Sequence, residues 1–309
     1  MRHVPVLLNE VLESLNLKSG MNIIDCTLGD GGHSEKILEQ TGPHGKLLGI
    51  DADPESLLRA KQFLYRFEPR VIYVRENFIH IQKIVAENNF LGVKGILMDF
   101  GWSSPQFAER ERGLSFQNPN EVLDMRYGSS FETPIFGLSN PTAAELVNQL
   151  PVDQLEHIFS SFGEEHLSLE IAIAIREARK QKPIQTVGDL VEIVLQAYRT
   201  KLKTDKEIPW IGGLHPATKV FQALRIAVND ELGVIEKVLP AAVDVLESGG
   251  RLCVITFHSL EDRIVKHYFK SIHEKTIQII TKKPIECGEQ EYKENPPSRS
   301  AKLRVVEKL

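Results

Sequence analysis

Cysteine is scarce in this chain: three in 309 residues, at Cys26, Cys253 and Cys287. An odd count, wide separation and no CxxC spacing exclude a disulfide framework and argue against a zinc site or any other metal centre. They suit a reducing compartment. Also missing is any apolar run of the ~18 residues that a membrane helix needs. The first residues, Met1-Arg2-His3-Val4-Pro5, have neither a signal peptide's apolar stretch nor a transit segment's Arg/Ser bias. A cytoplasmic location is expected. Positive charge is not in excess either, since the formal net charge is −5. Residues 1–107 carry 11 basic and 13 acidic groups, residues 108–214 carry 11 and 16, and residues 215–309 carry 15 and 13. Only the C-terminal third is basic, and weakly, so an anionic polymer would have to be bound by local patches. Internal repeats and low-complexity tracts are absent.

What is present is an alternation of strand and helix patterns. Short apolar runs at residues 22–26, 46–51, 71–74 and 95–99 are separated by helix patterns near residues 34–40, after Asp53-Pro54, and near residues 78–88. Asp53 is a natural N-cap and Pro54 a first-turn proline. Such alternation predicts an α/β fold with a parallel sheet of βαβ units. The pattern then stops. From about residue 108 to 214 only helix signals are found, with capping-box spacing at Thr142–Glu145 and at Thr186–Asp189 and helical periodicity over residues 151–162 and 167–180. It resumes with a long helix pattern over residues 214–247, a strand over 251–257, and a helix from Ser259 with its own capping-box spacing. Residues 276–281 and 302–307 suit a closing antiparallel hairpin. The expected domains are therefore a discontinuous sheet domain, 1–107 with 215–309, and an inserted helical domain, 108–214, roofing its cleft.

Two loops at the carboxyl edge of that sheet carry chemistry. The first strand feeds the turn Gly29-Asp30-Gly31-Gly32-His33-Ser34. A glycine-rich turn entering a helix cradles anions and ribose, because glycine admits close backbone approach and the helix start offers free N–H groups. Ser34 stands where the dinucleotide fingerprint wants a small residue, and Asp30 suits a cofactor with a cationic near end. Asp51, 22 residues beyond Gly29 and ending the second strand, is placed to accept ribose hydroxyls. Phe78 follows the third strand, where it either stacks on an adenine or joins the core behind a capping Asn77. His33 either caps the first helix or lines the far end of the cofactor. The second loop continues Asp99-Phe100 into Gly101-Trp102-Ser103-Ser104-Pro105-Gln106. It resembles the Ser-Pro-Pro-Tyr type motif of enzymes that methylate exocyclic amines, without that motif's aromatic residue. A Ser hydroxyl and carbonyls held by a rigid Pro supply acceptors for amine hydrogens.

Three longer segments make a resemblance specific: residues 214–232 (from Leu214-His215-Pro216 to Asn229-Asp230-Glu231-Leu232), Thr256-Phe257-His258-Ser259-Leu260-Glu261-Asp262-Arg263, and Asn295-Pro296-Pro297-Ser298-Arg299-Ser300-Ala301-Lys302-Leu303-Arg304. With the two loops and Leu123-Asp124-Met125-Arg126, they resemble the bacterial small-subunit ribosomal RNA (cytosine-N(4))-methyltransferase family, RsmH/MraW, over essentially the whole chain. The resemblance implies a class I methyltransferase domain of Rossmann-like α/β architecture with an inserted all-helical domain. It implies S-adenosylmethionine as methyl donor, bound by Gly31, Gly32, His33, Asp51, Phe78, Asp99 and Gln106. The implied acceptor is a cytidine in the decoding region of 16S rRNA, within the small subunit or a late precursor of it. No membrane partner is expected, and a homodimer is left open.

The residues allow a mechanism. Direct in-line transfer to an amine needs positioning, water exclusion and acceptors that strengthen as positive charge develops. Ser104 is the expected acceptor, and His258 at the end of the fifth strand is a candidate to take the proton. Trp102 or Phe100 would stack on the extruded base. For RNA contacts, Thr218, Gln222, Arg225 and Asn229 form a polar stripe on one helix, with Lys219 beside it. Arg299 and Lys302 flank a Pro/Ser loop. Two rivals remain at this point: a nicotinamide-dependent dehydrogenase, disfavoured by Asp30 and Ser34, and a non-catalytic ribosome-assembly factor, disfavoured by the intact Ser103–Gln106 loop.

Overall fold

Three of the four residues of strand β1 (Asn22–Asp25) are buried, and similar continuous burial recurs in β2 (Leu47–Asp51), β4 (Val93–Asp99) and β5 (Arg251–Thr256). Apolar runs of that kind fit the interior of a parallel sheet covered on both faces. The computed structural model describes residues 4–100, 112–127, 134–204, 206, 208 and 214–309. It divides into two compact units, Met1–Ser103 with Leu232–Leu309, and Ser104–Glu231.

The first unit holds a seven-stranded sheet in the order β3-β2-β1-β4-β5-β7-β6, with β3 at Val71–Arg75, β6 at Ile277–Ile279 and β7 at Lys302–Lys308. Strands β1 to β5 pair in parallel, while β7 runs antiparallel to both β5 and β6. This is the mostly parallel sheet with a terminal antiparallel hairpin that the sequence implied. Side-chain alternation separates two cores. Ile23, Leu47, Leu97, Cys253 and Leu303 face one layer with helices Leu8–Leu15 and Gly32–Thr41. Ile24, Leu48, Ile96, Val254 and Val306 face the other, with helices Glu231–Val245 and Ser259–Ile272. The chain runs outward from β1 to β3 and returns to β4 on the other side of β1. A crevice at the carboxyl ends of β1 and β4 follows from that reversal, and open α/β sheets bind ligands at such a place.

The second unit is helical among its described residues. Helices Ala143–Gln149, Val152–Gly163, Ser168–Arg179, Val187–Leu202 and Thr218–Asn229 enclose a core that includes Leu146, Phe159, Ile171, Leu190 and Leu224. Both expected capping boxes are formed, Thr142 with Glu145 and Thr186 with Asp189. Only isolated bridges, Val122 with Thr186 and Ile135 with Leu138, are seen there.

Two expectations need correction. The long helix expected over residues 214–247 is two helices, because Asp230 turns left-handed (φ 46°) and its N–H closes on the carbonyls of Ala227 and Ile226. The helix Thr218–Asn229 belongs to the helical unit, whereas the sequence placed residues from 215 onward with the sheet. Its apolar face has the same spacing whichever core it joins, so periodicity carried no information about which. No helix among the described residues is long and apolar enough to cross a membrane.

Candidate active site

The turn after β1 is built by carboxylates as much as by glycines. Asp25, which ends β1 and is 1% exposed, accepts the Ser34 hydroxyl at 2.6 Å and the Thr27 N–H at 3.1 Å. Burial pushes its carboxyl above the usual range, against those two hydrogen bonds. Ser34, which seemed only a departure from the dinucleotide pattern, is thus the buried donor that holds Asp25. Thr27 in turn accepts the Asp99 N–H at 2.8 Å, tying the end of β4 to the β1 turn.

Asp51 lies at the end of β2. Its carboxylate accepts the Gly29 N–H at 2.8 Å and the Asp53 N–H at 2.9 Å. Burial nevertheless pushes its pKa up to about 6, with Asp53 and Asp25 adding repulsion against the two hydrogen bonds. A carboxylate offers about four lone-pair directions. Two are used here, which leaves room for hydroxyl donors. Gly31 adopts a left-handed φ of 81°, and a side chain at Gly32 would meet the Pro5 ring at 2.5 Å. Both positions therefore require glycine, one for conformation and one for close approach of the N-terminal segment.

His33 is neither the helix cap, which is Gly31, nor free in the crevice. Its Nε2 donates to the Val6 carbonyl at 2.9 Å, and its Nδ1 lies 4.0 Å from an Asp99 oxygen. Phe78 lies on a short 3-10 turn after β3, with its ring centroid 6.0 Å from that of Phe100. Asn77 caps that turn by accepting the Ile79 N–H. Gly31, Gly32, His33, Asp51, Phe78 and Asp99 thus lie at the carboxyl ends of β1 to β4, an edge that offers a carboxylate, an aromatic ring and a glycine turn. Trp102, Ser104 and Gln106 lie outside the described residues.

Other sequence assignments are redirected. Asp30 does not face the crevice as a bare anion: Arg59 Nε donates to it at 2.8 Å. His258 N-caps the helix Ser259–Ile272, its Nδ1 accepting the Glu261 N–H at 3.5 Å and its Nε2 lying 3.1 Å from a Glu261 oxygen. The capping box is therefore His258 with Glu261, one residue earlier than expected at Ser259. The polar stripe on Thr218–Asn229 is internal wiring. Asn229 is 2% exposed, donates to the carbonyls of Met125 and Arg225, and accepts the Tyr127 N–H. Arg225 makes a two-pronged pair with Glu231 at 2.9 and 3.1 Å, and Gln222 donates to the Phe162 carbonyl. Lys219 donates to the Glu164 carbonyl at 2.8 Å. Sequence periodicity saw the stripe but had no means of seeing what lay opposite it. Arg299 sits over the Tyr292 ring at 5.5 Å, and Lys302 opens β7 opposite Thr256, at the carboxyl end of β5.

The family model described as the MraW methylase family matches residues 1–309. A protein of Clostridioides difficile named "Ribosomal RNA small subunit methyltransferase H" is 40% identical over 99% of this chain and 99% of its own length. One of Symbiobacterium thermophilum with the same name is 42% identical over 99% of this chain and 96% of its own. Among solved structures, an rRNA methylase from Streptococcus thermophilus aligns over 98% of this chain and 92% of that one, at 11% identity and a TM-score of 0.43.

Proposed function

Because the chain belongs to the MraW methylase family, we propose that it methylates small-subunit ribosomal RNA, at the exocyclic N4 amine of a cytidine in the decoding region of 16S rRNA. Relatives about 40% identical over nearly the whole chain carry the small-subunit rRNA methyltransferase name, which supports the substrate class. The observation that carries the reading is the gathering of Asp51, Asp99, Phe78 and the Gly29–Gly32 turn at one sheet edge. S-adenosylmethionine is the methyl donor and supplies an electrophilic methyl on a sulfonium.

The residues fit that donor. Asp51 has acceptor capacity left for ribose hydroxyls, and a buried carboxylate raised to about 6 gains from donors that settle its charge. Phe78 offers a ring face to adenine. Gly31 and Gly32 leave the backbone accessible, and Asp99, half-buried at the end of β4, delivers the chain to the Phe100–Gln106 loop beside the acceptor base. Ser104 accepts a hydrogen bond from the amine, which strengthens as the nitrogen becomes positive; Gln106 contributes to the donor pocket and Trp102 stacks on the base. Nucleophilic attack is in line, with the nitrogen opposite the leaving sulfur. No strong base is needed, since a methylated cytosine ammonium is acidic. We assign no proton transfer to His258, whose Nδ1 is used by the helix it caps.

The test uses small subunits from a strain lacking the modification, labelled donor, nuclease digestion and mass spectrometry. N4-methylcytidine is expected. A methyl group on a ring carbon or a ribose oxygen would overturn the amine assignment, and no label in the rRNA would overturn the substrate. Ser104→Ala should slow single-turnover transfer by roughly 30- to 160-fold, the worth of one charge-assisted hydrogen bond of about 2–3 kcal/mol, with RNA affinity unchanged.

A further inference from the structure

With the Thr218–Asn229 stripe committed internally, rRNA affinity needs another source of cations. Between residues 263 and 283 the chain has six Lys or Arg side chains and one acid, Glu274. The two acids that precede this stretch are withdrawn from the surface. Glu261 is 2% exposed and accepts the backbone N–H groups of Phe257 and His258 at 2.7 and 3.2 Å. Asp262 takes both prongs of the nearly buried Arg304 at 2.7 and 2.9 Å. Folding therefore makes the surface here more basic than the local sequence.

The cations share a face. Arg263, Lys266, His267 and Lys270 recur at i, i+3, i+4 and i+7 on the helix Ser259–Ile272, and all four are exposed. Val265 and Phe269 point the opposite way, into the core. Lys282 and Lys283 follow β6, the edge strand of the sheet, and are also exposed. Edge lysines alone have a simpler reading, protection against strand pairing. That reading does not extend to the helix stripe. The register takes the chain from Ile277 opposite Lys308 to Ile285 opposite Leu303, so Lys282 and Lys283 lie toward the carboxyl edge that carries the site.

We propose that this face of Ser259–Ile272, continued by Lys282 and Lys283, is a track for the phosphates of the rRNA substrate, separate from the groups that bind the donor and the reacting base. The proposal rests on the rRNA reading above. Its chemistry is sequence-independent: each ammonium replaces counterions on one phosphate, so the contribution appears in the salt dependence of binding.

The decisive variant is the triple Lys266→Gln, Lys270→Gln, Lys283→Gln, measured for binding to unmodified small ribosomal subunits over a salt series. The slope of log affinity against log salt should fall in magnitude by roughly 2, about 0.7–0.9 for each phosphate contact. KM for subunits should rise while kcat at saturation and S-adenosylmethionine affinity stay at wild-type values. The matched Lys→Arg triple should keep the wild-type slope. If the Gln triple loses donor affinity through misfolding, single variants provide the reading, each lowering the slope by just under 1. A wild-type slope in a folded Gln variant that still methylates rRNA overturns the track and leaves the rRNA reading standing. Failure of the wild-type protein to bind or methylate subunits overturns both.

Discussion

Asp51 is held by two backbone N–H groups and still titrates near pH 6, because burial and two neighbouring carboxylates outweigh those donors. The sign of its effect is opposite for folding and for binding. Its folded pKa lies above the ordinary carboxylate value of 3.8, so its contribution to stability is full below that value and is lost as pH rises through about 6. Ribose hydroxyls donate to the ionised form, so S-adenosylmethionine affinity should rise as pH increases through about 6 and then level off. Calorimetry between about pH 5 and about pH 8 should show this step in the wild type and its loss in Asp51→Asn. Asp51→Ala should weaken binding at neutral pH by about 1–3 kcal/mol. Arg225 and Asn229 carry a different consequence. Removing Arg225 takes the charged partner from Glu231, which keeps the Tyr127 hydroxyl, and removing Asn229 takes a partner from the Met125 carbonyl and from the Tyr127 N–H. Each Ala variant should lose roughly 1–3 kcal/mol of stability, read by denaturant melts, with no change in the salt slope of RNA binding. Asp51 was legible in the sequence because a strand end followed by a cap fixes where its side chain goes. Asn229 was not, because its partners are about a hundred residues away.

Among the elements of the helical unit, Val152–Gly163 and Thr218–Asn229 pack closely at Gly163. A side chain at Gly163 would meet the Lys219 carbonyl at 2.6 Å and the Ala223 methyl at 3.2 Å. The obstacle is backbone, which yields less easily than a side chain. Gly163→Ala should therefore destabilise the helical unit by about 1–3 kcal/mol, seen as a lower Tm, while donor affinity is unchanged. Gly163 ends its helix, just past the periodicity over residues 151–162, but nothing in that pattern shows the second helix lying against it. Capping boxes at Thr142 and Thr186 were legible because their partners are three residues away. The box at the start of Ser259–Ile272 was displaced by one, since a histidine ring took the role expected of a hydroxyl.

For the whole molecule, the sheet unit contains every described residue assigned to the donor, and the helical unit begins at Ser104 and ends at Glu231. We expect that replacing residues 108–231 by a short flexible linker, which keeps Ser104 and Gln106, leaves S-adenosylmethionine binding largely intact and abolishes rRNA methylation. Calorimetry and the labelled transfer assay check the two halves separately. A linker variant that still methylates small subunits would remove the helical unit from recognition, and one that cannot bind the donor would show that the sheet unit depends on it.

The sequence by itself determined the alternating strands, the returning hairpin, the glycine turn and the terminal carboxylates Asp51 and Asp99, because periodicity, caps and strand ends act over a few residues. It also carried the family. Tertiary structure alone decided where the polar side chains are spent. Ser34 went to Asp25, Arg59 to Asp30, Arg304 to Asp262, and the stripe from Gln222 to Asn229 to the interior of the helical unit. A polar residue on a helix face has the same local pattern whether it meets solvent, RNA or a buried carboxylate. Only the chain that folds opposite it tells which, and that contact is set by packing between segments far apart in sequence.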